Sequence, residues 1–373
     1  MASDFIHIVC LDAPAPSNYG GAIDMYYKIT ALAVTGKKII LHYFDYNPQR
    51  NVDELKEYCY SIYSYSRKQG IQSLLFLKPY IVASRINQQL IDRLNNDEHP
   101  VILEGIHCSG IIPYLKKNRK IFLRVHNNEA AYYLSLAKTE INLFKKTYFL
   151  LEHFLLRIYQ NRIQKDIIVA CLSDTDVEVF AKKYRFRNVH FIPCFIPWQQ
   201  LLAKPGTGRY CLYHGNMQVS ENEAAATWLL HHVFSTIEIP FIIAGSGISK
   251  KLKSLASIYP HVTMVDNPTM AEIDSLIEKA QIHLLPSLNN TGVKLKLLHA
   301  LLAGKFCITN QAGVEGSKIK NGVFIAETKE EYIQLITLWM KQSFTKTDIK
   351  EREPVLQQYN NITNAEKLNG LIS

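Results

Sequence analysis

The chain alternates short, mostly apolar runs with longer amphipathic runs, and it does so in two successive rounds. The first round has strand-like runs at 5–10, 37–44, 100–105, 120–126 and 166–173. The second round has them at 210–215, 240–245, 261–266, 281–286, 305–309 and 322–326. Strands that are apolar along their whole length and separated by helices are typical of a parallel sheet covered on both faces. The pattern therefore predicts an α/β fold with two β/α/β domains.

Length and a proline-rich stretch indicate where the two domains divide. The chain has 373 residues, more than one hydrophobic core usually holds. Residues 192–208 contain three prolines and two glycines, which interrupt helices and ladders. We therefore predict an N-terminal domain at 1–195 and a C-terminal domain at 196–355. A last helix within 356–373 is predicted to return to the N-terminal domain.

Composition narrows the class of protein. With 47% hydrophobic and 20% charged residues, the chain resembles an ordinary soluble globular protein. It has no run of 18 uncharged apolar residues that would predict a membrane span, and Asp4 lies where a signal peptide would be basic. Seven cysteines, an odd number without a CxxC pair, favour reduced thiols over a disulfide framework or a metal site. We therefore expect a cytoplasmic protein.

The formal net charge of +9 favours an anionic partner. Nucleotides, phosphorylated substrates, acidic membrane surfaces and nucleic acids remain open on charge alone. The sequence has no stripe of clustered Lys and Arg interleaved with aromatic residues, so no nucleic-acid partner is expected.

The segment from Asn128 to Gln164 is predicted to be helical, in one or two helices. Apolar residues recur on one face at three- and four-residue spacing: Phe144, Tyr148, Leu151, Leu155 and Ile158. Basic residues lie around this face: Lys145, Lys146, Arg157, Arg162 and Lys165. A helix packed in the core with a solvated basic side is the interpretation we favour. The alternative is peripheral contact with an anionic membrane, at its inner face.

Loops directly after strands are the candidate sites in the N-terminal half, because ligands of such sheets bind at the carboxyl ends of strands. Gly20 and Gly21 precede a helix whose free amides could bind an anion, although a tight turn explains them equally well. His126 and Asn127 follow a later strand. His126 could hydrogen-bond a hydroxyl-rich ligand, or it could be a satisfied buried histidine. Glu129 is suited to the first turn of the next helix.

Loops of the same kind recur in the C-terminal half. Gly215 and Asn216 end a strand and could form a turn beside a phosphate. Ser220 and Glu223 have the spacing of a capping box, which is a structural signature. The AGSG stretch at 244–247 is another glycine-rich turn between a strand and a helix.

A later loop combines amides with unexpected cations. Asn290, Thr291 and Gly292 offer amides and small polar groups. A helix is predicted to open at Gly292, with Lys294 and Lys296 in its first two turns. Cations are unfavourable there, because the helix dipole leaves partial positive charge at that end. An anion bound at the helix N-terminus would explain both lysines.

Several of these stretches, in order along the chain, resemble the GT-B glycosyltransferases of the family 4 type. LLPSLNNTGVKLKLLHALLAGKFCIT, followed by AGVEG, is similar to the nucleotide-sugar loop and helix of that family. YHGNMQVSENEAAATWLL is similar to its first C-domain strand, loop and helix. RVHNNEAAYY, CLSDTD and APSNYGG are similar to its N-domain signatures. The matches extend over most of the chain, and together they are specific.

The resemblance implies a fold and an activity. It implies a GT-B architecture, in which two Rossmann-like β/α/β domains face a cleft. The N-terminal domain would bind an acceptor and the C-terminal domain a nucleotide-sugar donor, with retention of anomeric configuration. No cofactor besides the donor is implied, and no metal is expected. The product would be a cell-surface or lipid-linked saccharide.

The resemblance also assigns roles to residues. His126 would lie near the donor sugar and Lys294 at the phosphates, and we predict these two as catalytic. Gly20 and Gly21 would lie near the diphosphate. The full set of predicted substrate-binding residues is Gly20, Gly21, Asn127, Gly215, Asn216, Asn290, Thr291, Gly292, Val293 and His299.

The chain departs from the family at three positions. Thr291 and His299 stand where the family usually has paired glutamates, the second of which holds the nucleotide ribose. Gln218 lies where the family often has a basic pair. Two alternatives therefore stay open: a weak or inactive sugar-nucleotide-binding protein, and a sugar-nucleotide epimerase of the same fold. The donor sugar, its base and the acceptor are not determined by the sequence.

Overall fold

The computed structural model describes residues 4–45, 50–68, 78–140 and 142–372. Contacts divide the chain into two units. Unit 1 comprises the residues up to Pro197 together with the segment from Tyr359 onwards, and unit 2 comprises Trp198–Gln358. The predicted divisions, after 195 and after 355, lie two and three residues from these.

Unit 1 contains a seven-stranded sheet in which each strand is parallel to its neighbours. Its strands are β1 (Phe5–Cys10), β2 (Lys38–Asp45), β3 (Cys59–Ser66), β4 (Val101–Glu104), β5 (Ile121–Val125), β6 (Ile168–Cys171) and β7 (Asn188–Phe191). Their order across the sheet is β3-β2-β1-β4-β5-β6-β7. Such an order needs crossover connections between parallel strands, which the intervening helices supply.

Helices cover both faces of this sheet. Those of unit 1 are α1 (Gly20–Val34), α2 (Tyr80–Ala83), α3 (Gln88–Leu94), α4 (Glu129–Thr139), α5 (Leu143–Arg162), α6 (Asp174–Glu178) and, near the C-terminus, α15 (Asn361–Ile372). Two separate clusters of buried apolar residues lie against the sheet. The last helix packs on α1, where Asn369 Nδ2 donates to Thr35 Oγ1 at 2.9 Å.

Unit 2 repeats this design with a six-stranded parallel sheet. Its strands are β8 (Cys211–His214), β9 (Phe241–Gly245), β10 (Val262–Asp266), β11 (Ile282–Leu284), β12 (Phe306–Thr309) and β13 (Val323–Ile325). Their order is β10-β9-β8-β11-β12-β13. Its helices are α7 (Ser220–Leu229), α8 (Lys250–Ala256), α9 (Met270–Lys279), α10 (Leu295–Ala303), α11 (Gln311–Val314), α12 (Lys329–Trp339), α13 (Lys346–Lys350) and α14 (Glu353–Gln358). The predicted α/β fold with two Rossmann-like sheets is confirmed.

Two strands that the sequence did not reveal lie at the edges of the unit 1 sheet. β3 reads CYSIYSYS and β7 reads NVHF, so polar residues interrupt both. Edge strands are partly solvated, and they therefore lack the continuous apolar runs that mark central parallel strands.

The long helical segment of unit 1 is two helices, α4 and α5, and the face of α5 that we expected in the core is mostly exposed. Leu155 is buried, but the other four residues of the predicted face are exposed: Phe144, Tyr148, Leu151 and Ile158. The buried residues of α5 are Glu152, Leu155, Leu156 and Gln160. The favoured interpretation of a core-packed apolar face is therefore wrong. Spacing showed that α5 has an apolar face, but tertiary packing selected a different one.

Two further expectations from composition can be compared with the structure. All seven cysteines are free thiols, and Cys59 alone among them is not fully buried. Among the described residues, no helix combines the length and the apolar content needed to cross a membrane.

Candidate active site

The N-terminus of α1 presents backbone amides beside a histidine. The preceding residue, Tyr19, makes no capping hydrogen bond through its side chain. A Cβ on Gly21 would lie 3.0 Å from the Tyr19 ring and 3.8 Å from His126 Nδ1. Glycine therefore allows close approach to this helix end, and the first-turn amides can bind an anion.

The loop before α1 is held in place by Arg50. Its Nε donates to Ala13 O at 2.9 Å and its Nη2 donates to Pro16 O at 2.7 Å. Asp12, which is buried, accepts a hydrogen bond from Tyr19 OH at 3.0 Å. The backbone that leads to Gly20 is thus fixed by side chains rather than by regular secondary structure.

His126 follows β5, and a carboxylate at the end of β4 orients it. Its Nε2 lies 2.7 Å from Glu104 Oε2, and Glu104 is fully buried. Burial raises the pKa of Glu104, but Lys28 and His126 outweigh that effect and hold it below its usual value. The ionised carboxylate can only accept, so His126 Nε2 donates and Nδ1 faces Gly21.

Glu104 belongs to a buried network of charges. Lys28 Nζ lies 2.7 Å from Glu104 Oε1 and 3.1 Å from Asp24 Oδ2. Arg124 Nη2 lies 3.0 Å from Asp24 Oδ1. Burial opposes ionisation of Asp24, yet Arg124 and Lys28 hold its pKa well below the usual range. Two carboxylates and two cations therefore neutralise one another beneath His126.

Asp24, Glu104 and His126 also have the spacing of metal ligands. Their candidate ligand atoms all lie within 4.8 Å of one another. Lys28 and Arg124 already compensate the two carboxylates, and a divalent ion would have to compete with both. The donor set therefore fits an ion-pair network that positions His126 better than it fits a metal site.

The loop after β5 brings a second acidic pair together. Asn128 Oδ1 accepts from Ala131 N at 3.3 Å and so caps α4. Glu129 is buried, and burial together with the nearby Asp176 raises its pKa to about 8. At neutral pH Glu129 is mostly protonated, so it contributes little charge to the helix dipole. Sequence spacing could not predict the raised pKa of Glu129, because Asp176 lies on a different helix, α6.

In unit 2, the strand ends of β8 and β9 approach each other closely. A Cβ on Gly245 would overlap Gly215 O, so glycine is required where the two strands end. Asn216 O accepts from Asn222 Nδ2 at 2.9 Å, which closes the loop before α7. The predicted capping box at the start of α7 is wrong, since Val219 is the N-cap residue and Ser220 is already helical.

The loop before α10 has two lysines that are held by neutral oxygens. Lys294 Nζ donates to Asn289 Oδ1 at 2.5 Å and to Thr291 O at 2.7 Å. Lys296 Nζ donates to Asn222 Oδ1 at 3.2 Å. Thus Asn222, in the first turn of α7, contacts both Asn216 in the loop after β8 and Lys296 at the start of α10.

The environment of the two lysines disfavours their charge. Burial lowers the pKa of Lys294 to about 8, although Glu221 opposes this. Burial and the neighbouring Lys294 lower the pKa of Lys296 to about 8 as well. Two adjacent, desolvated cations form a site that an anion would stabilise.

Backbone amides lie beside these lysines. The helix begins at Leu295 rather than at Gly292, with Lys294 as its N-cap residue. The first backbone hydrogen bonds of α10 run from Leu297 N and Leu298 N to Lys294 O. The backbone amides before Leu297 therefore lie outside the hydrogen-bond pattern of the helix. Residues 291–296 are half-buried. Gly292 has φ +65°, which favours glycine.

Residues 208–341, which include this site, match the family of glycosyl transferases group 1. We call this matched segment of unit 2 the group 1 domain. The whole chain is also 28% identical over 351 residues to an uncharacterized 44.6 kDa protein in cps region of Klebsiella pneumoniae, with 88% of each chain covered.

Solved structures of similar fold extend over both units. The chain resembles Anabaena Alr3699/HepE in complex with UDP and glucose, with TM-score 0.66, 11% identity and 98% of each chain covered. It resembles a S. aureus TarM mutant in complex with Fondaparinux, alpha-GlcNAc-glycerol and UDP, with TM-score 0.65, 12% identity and 100% of each chain covered. It also resembles a Burkholderia xenovorans alpha,alpha-trehalose-phosphate synthase (UDP-forming), with TM-score 0.66, 8% identity and coverage of 99% and 100%. At these identities the likeness concerns the fold, which is GT-B.

The group 1 domain and the GT-B fold together confirm the predicted class, a glycosyltransferase. The family 4 type and retention of configuration stay predictions. The predicted site residues fall into two groups that the structure brings together separately. In unit 1, Gly20 and Gly21 are the first residues of α1, and His126 and Asn127 follow β5. In the group 1 domain, the predicted residues other than His299 lie in two loops: Gly215 and Asn216 directly follow β8, and Asn290, Thr291, Gly292, Val293 and Lys294 directly precede α10.

His299 also lies in the group 1 domain, and it contacts Trp198 and Asp274. Its ring stacks on Trp198, with centroids 4.1 Å apart, and its Nε2 lies 3.1 Å from Asp274 Oδ1. It is buried on α10, three residues after Lys296. The ribose contact predicted for His299 stays a prediction.

Sequence reasoning missed some groups of both sites. Glu104 and Lys28 were not singled out, and Lys296 was noticed but not included among the binding residues. Lys296 carried a signal, since a cation in the first turn of a helix is unfavourable without an anion. Lys28 carried no such signal, because a lysine four residues after Asp24 has the spacing of an ordinary ion pair on a helix surface.

Proposed function

We propose that this protein transfers a sugar from a nucleotide-sugar donor to a saccharide or lipid-linked acceptor during polysaccharide synthesis in the cytoplasm. The group 1 domain supports the reaction class. The relative in a cps region supports the polysaccharide context. The HepE and TarM structures are described with UDP, so a uridine nucleotide is the first donor to test.

The observation that carries this proposal is the lysine pair at α10. Lys294 and Lys296 are desolvated cations at a helix end whose first amides lie outside the helical ladder. A diphosphate would satisfy the amides and restore the charge of both lysines. The leaving nucleoside diphosphate gains negative charge in the transition state, so this arrangement would stabilise the transition state more than the bound donor.

Unit 1 has its own candidate groups. Glu104 fixes the orientation of His126, which leaves Nδ1 to accept a hydrogen bond from a sugar hydroxyl. The amides of Gly20 and Gly21 could bind an anionic group. Retention of configuration and catalysis without a metal are further parts of this proposal. Both follow from the family resemblance, and the fixed cations would supply the charge that a metal otherwise provides.

One observation favours a second candidate, a weak or inactive sugar-nucleotide-binding protein. His299 stands where the family's ribose-binding glutamate is expected, and its Nε2 faces Asp274 while its ring stacks on Trp198. A donor held without a firm ribose contact would bind more weakly. Slow release of free sugar from a UDP-sugar without acceptor would support the enzyme, whereas binding without release would support the second candidate.

A thermal-shift screen with UDP, GDP and ADP tests the proposal. We expect one of them to raise the Tm, because a ligand that binds only the folded state stabilises it. Lys294→Ala and Lys296→Ala should each weaken affinity by roughly ten- to a hundredfold, since a hydrogen bond to a charged group contributes about 1.5–3 kcal/mol.

Lys341→Ala is the matched control. Lys341 is exposed and neighbours Gln342, whose carbonyl accepts from Gln281 Nε2 at 2.6 Å, before the start of β11. It therefore lies at the end of the sheet opposite to the lysine pair, and its loss should leave the affinity unchanged. No Tm shift with any of the three nucleotides, or an equal effect of all three substitutions, would contradict the proposed donor site.

A further inference from the structure

The outward face of α5 in unit 1 is apolar, and it is exposed. Its side chains recur every three or four residues, as one face of a helix requires. We call this set the α5 apolar face: Leu143, Phe144, Tyr148, Leu151, Phe154 and Ile158. Phe144 is 89% exposed and Leu143 is 76% exposed, and the other four are 40–56% exposed.

Packing on the inner side prevents α5 from turning this face inward. Glu152, which is buried, accepts hydrogen bonds from Tyr80 N at 2.9 Å and 3.0 Å. Leu155 and Leu156 are buried on the same inner side. Rotation of the helix would break the Glu152 contacts and expose both leucines. The exposure of the apolar face is therefore a consequence of how the inner face is built.

Charge on α5 selects the kind of partner. The helix has one acidic residue, Glu152, and that residue is buried. Its basic residues are exposed or half-buried: Lys145, Lys146, Arg157 and Arg162. The surface of α5 is therefore apolar and cationic, with no carboxylate. The chain as a whole carries a formal charge of +9.

These features distinguish between two occupants of the α5 apolar face. A second copy in a twofold dimer would place the same basic residues of both chains near each other, which is unfavourable. An anionic bilayer offers apolar chains to the aromatic and aliphatic residues and phosphate groups to the flanking cations. Clustered exposed apolar residues on a soluble fold commonly mark such an interaction surface.

We propose that the α5 apolar face docks on an anionic lipid bilayer, with the helix axis in the plane of the surface. Phe144, Tyr148 and Phe154 enter the boundary between headgroups and acyl chains. Lys145 and Arg157 contact lipid phosphates. Docking does not depend on sugar transfer, and a lipid-linked acceptor would be reached from the same surface.

Sedimentation of the full chain with vesicles tests this docking. One set of vesicles contains phosphatidylcholine and phosphatidylglycerol in equal proportion, and the other contains phosphatidylcholine alone. We expect binding to the anionic vesicles, with weaker binding at high salt. The double variant Phe144→Ser with Phe154→Ser should lower the partition coefficient by about tenfold or more. Lys145→Gln with Arg157→Gln should lower it by a similar factor at low salt.

The matched control is Ile258→Ser with Leu338→Ser. Both residues are exposed apolar residues of unit 2, 66% and 48% exposed. Their loss should leave vesicle binding within about twofold. Since the serine variants change only exposed side chains, their Tm and its shift with UDP should match the parent chain. This separates failure of docking from failure of the proposed donor site.

Three results would overturn the proposal. The first is an absence of binding of the parent chain to anionic vesicles. The second is equal binding to neutral and anionic vesicles, or binding that the phenylalanine double variant retains. The third is a concentration-dependent dimer that the same double variant abolishes, because the α5 apolar face would then bind a second copy of the chain.

Discussion

In unit 1, two buried carboxylates lie against two buried cations, whereas in unit 2 two lysines are held by amide, hydroxyl and carbonyl oxygens. Lys28 contacts Glu104 and Asp24 at 2.7 Å and 3.1 Å. Lys294 contacts Asn289 Oδ1 and Thr291 O. The pKa of Asp24 is accordingly held well below its usual range by Arg124 and Lys28 despite burial, whereas burial lowers the pKa of Lys294 to about 8.

This difference shows two uses of buried charge in one chain. In unit 1 the charges are balanced within the protein, so they keep Glu104 ionised and orient His126 whether or not a ligand is bound. In unit 2 the lysine charges are only partly balanced by Glu221. An anionic ligand would complete that balance. The first arrangement is structural support, and the second is suited to binding that depends on the ligand's charge.

The largest effect, on the free energy of unfolding, is expected from Lys28→Met, which removes one cation from the buried charge network of unit 1. Glu104 and Asp24 would remain buried with less compensation, and breaking such a pair costs about 3–5 kcal/mol. Denaturant unfolding measures the change. The control is Lys182→Met, which removes an exposed pair with Glu178 in the same unit and should change stability by less than about 0.5 kcal/mol. Equal effects of the two substitutions would contradict the assignment of Lys28 to a buried, mutually compensating network of charges.

Acid should weaken unit 1 through its buried neutral histidines rather than through its balanced charges. Burial lowers the pKa of His7 to about 4 and that of His42 well below its usual value. His7 Nδ1 lies 2.8 Å from His42 Nε2. The unfolded chain takes up protons below pH 6.5 and the folded chain does not, so stability is full above that pH and falls toward pH 4.

The expected loss between pH 7 and pH 4 from His7 is on the order of 2–3 kcal/mol, since one pKa unit corresponds to about 1.4 kcal/mol. Denaturant unfolding measured from pH 7 to pH 4 checks this loss of stability. His7→Gln, which keeps an amide donor for Asp97, should flatten the dependence, whereas His231→Gln, an exposed position in unit 2, should not. If the unfolding free energy of His7→Gln depends on pH as steeply as that of the parent chain, His7 is not the group responsible.

In unit 2 the expected pH effect is on binding. The pKa of Lys294 and that of Lys296 are both about 8 because burial lowers them, and a bound diphosphate would raise both. Binding of UDP at pH 8 should therefore take up protons, and affinity should fall as the pH rises above 8. Calorimetry in two buffers of different ionisation enthalpy measures the uptake. Lys294→Met should reduce it, and uptake that is zero at pH 8 would argue against lysine-phosphate contact.

The smallest effect, on affinity for UDP, is expected from His299→Phe, which keeps a ring to stack on Trp198 but removes both ring nitrogens. If His299 bonds the ribose, affinity for UDP should fall by roughly three- to tenfold, as for one neutral hydrogen bond. Asp274→Asn is the companion variant, because Asp274 is the observed partner of His299 Nε2. Unchanged affinity in His299→Phe would show that this histidine only packs the group 1 domain.

The parts of the molecule that sequence predicts well are those with a local signature. Strands away from the sheet edges, such as β6 and β9, are continuous apolar runs, so their positions and the α/β class could be read directly. Lys294 and Lys296 were noticeable because they lie against the expected dipole at a helix start. The edge strands β3 and β7 lacked such a signature, and the capping box at Ser220 carried a misleading one.

By itself, the sequence determined the two rounds of strands and helices, the location of the strand-end loops, and the amphipathic character of α5. Tertiary structure decided which side of α5 is buried, and it brought Lys28 to Glu104, 76 residues away along the chain. The reason is physical. Periodicity and capping act within a few residues, whereas burial and charge compensation depend on groups that only the folded chain brings into contact.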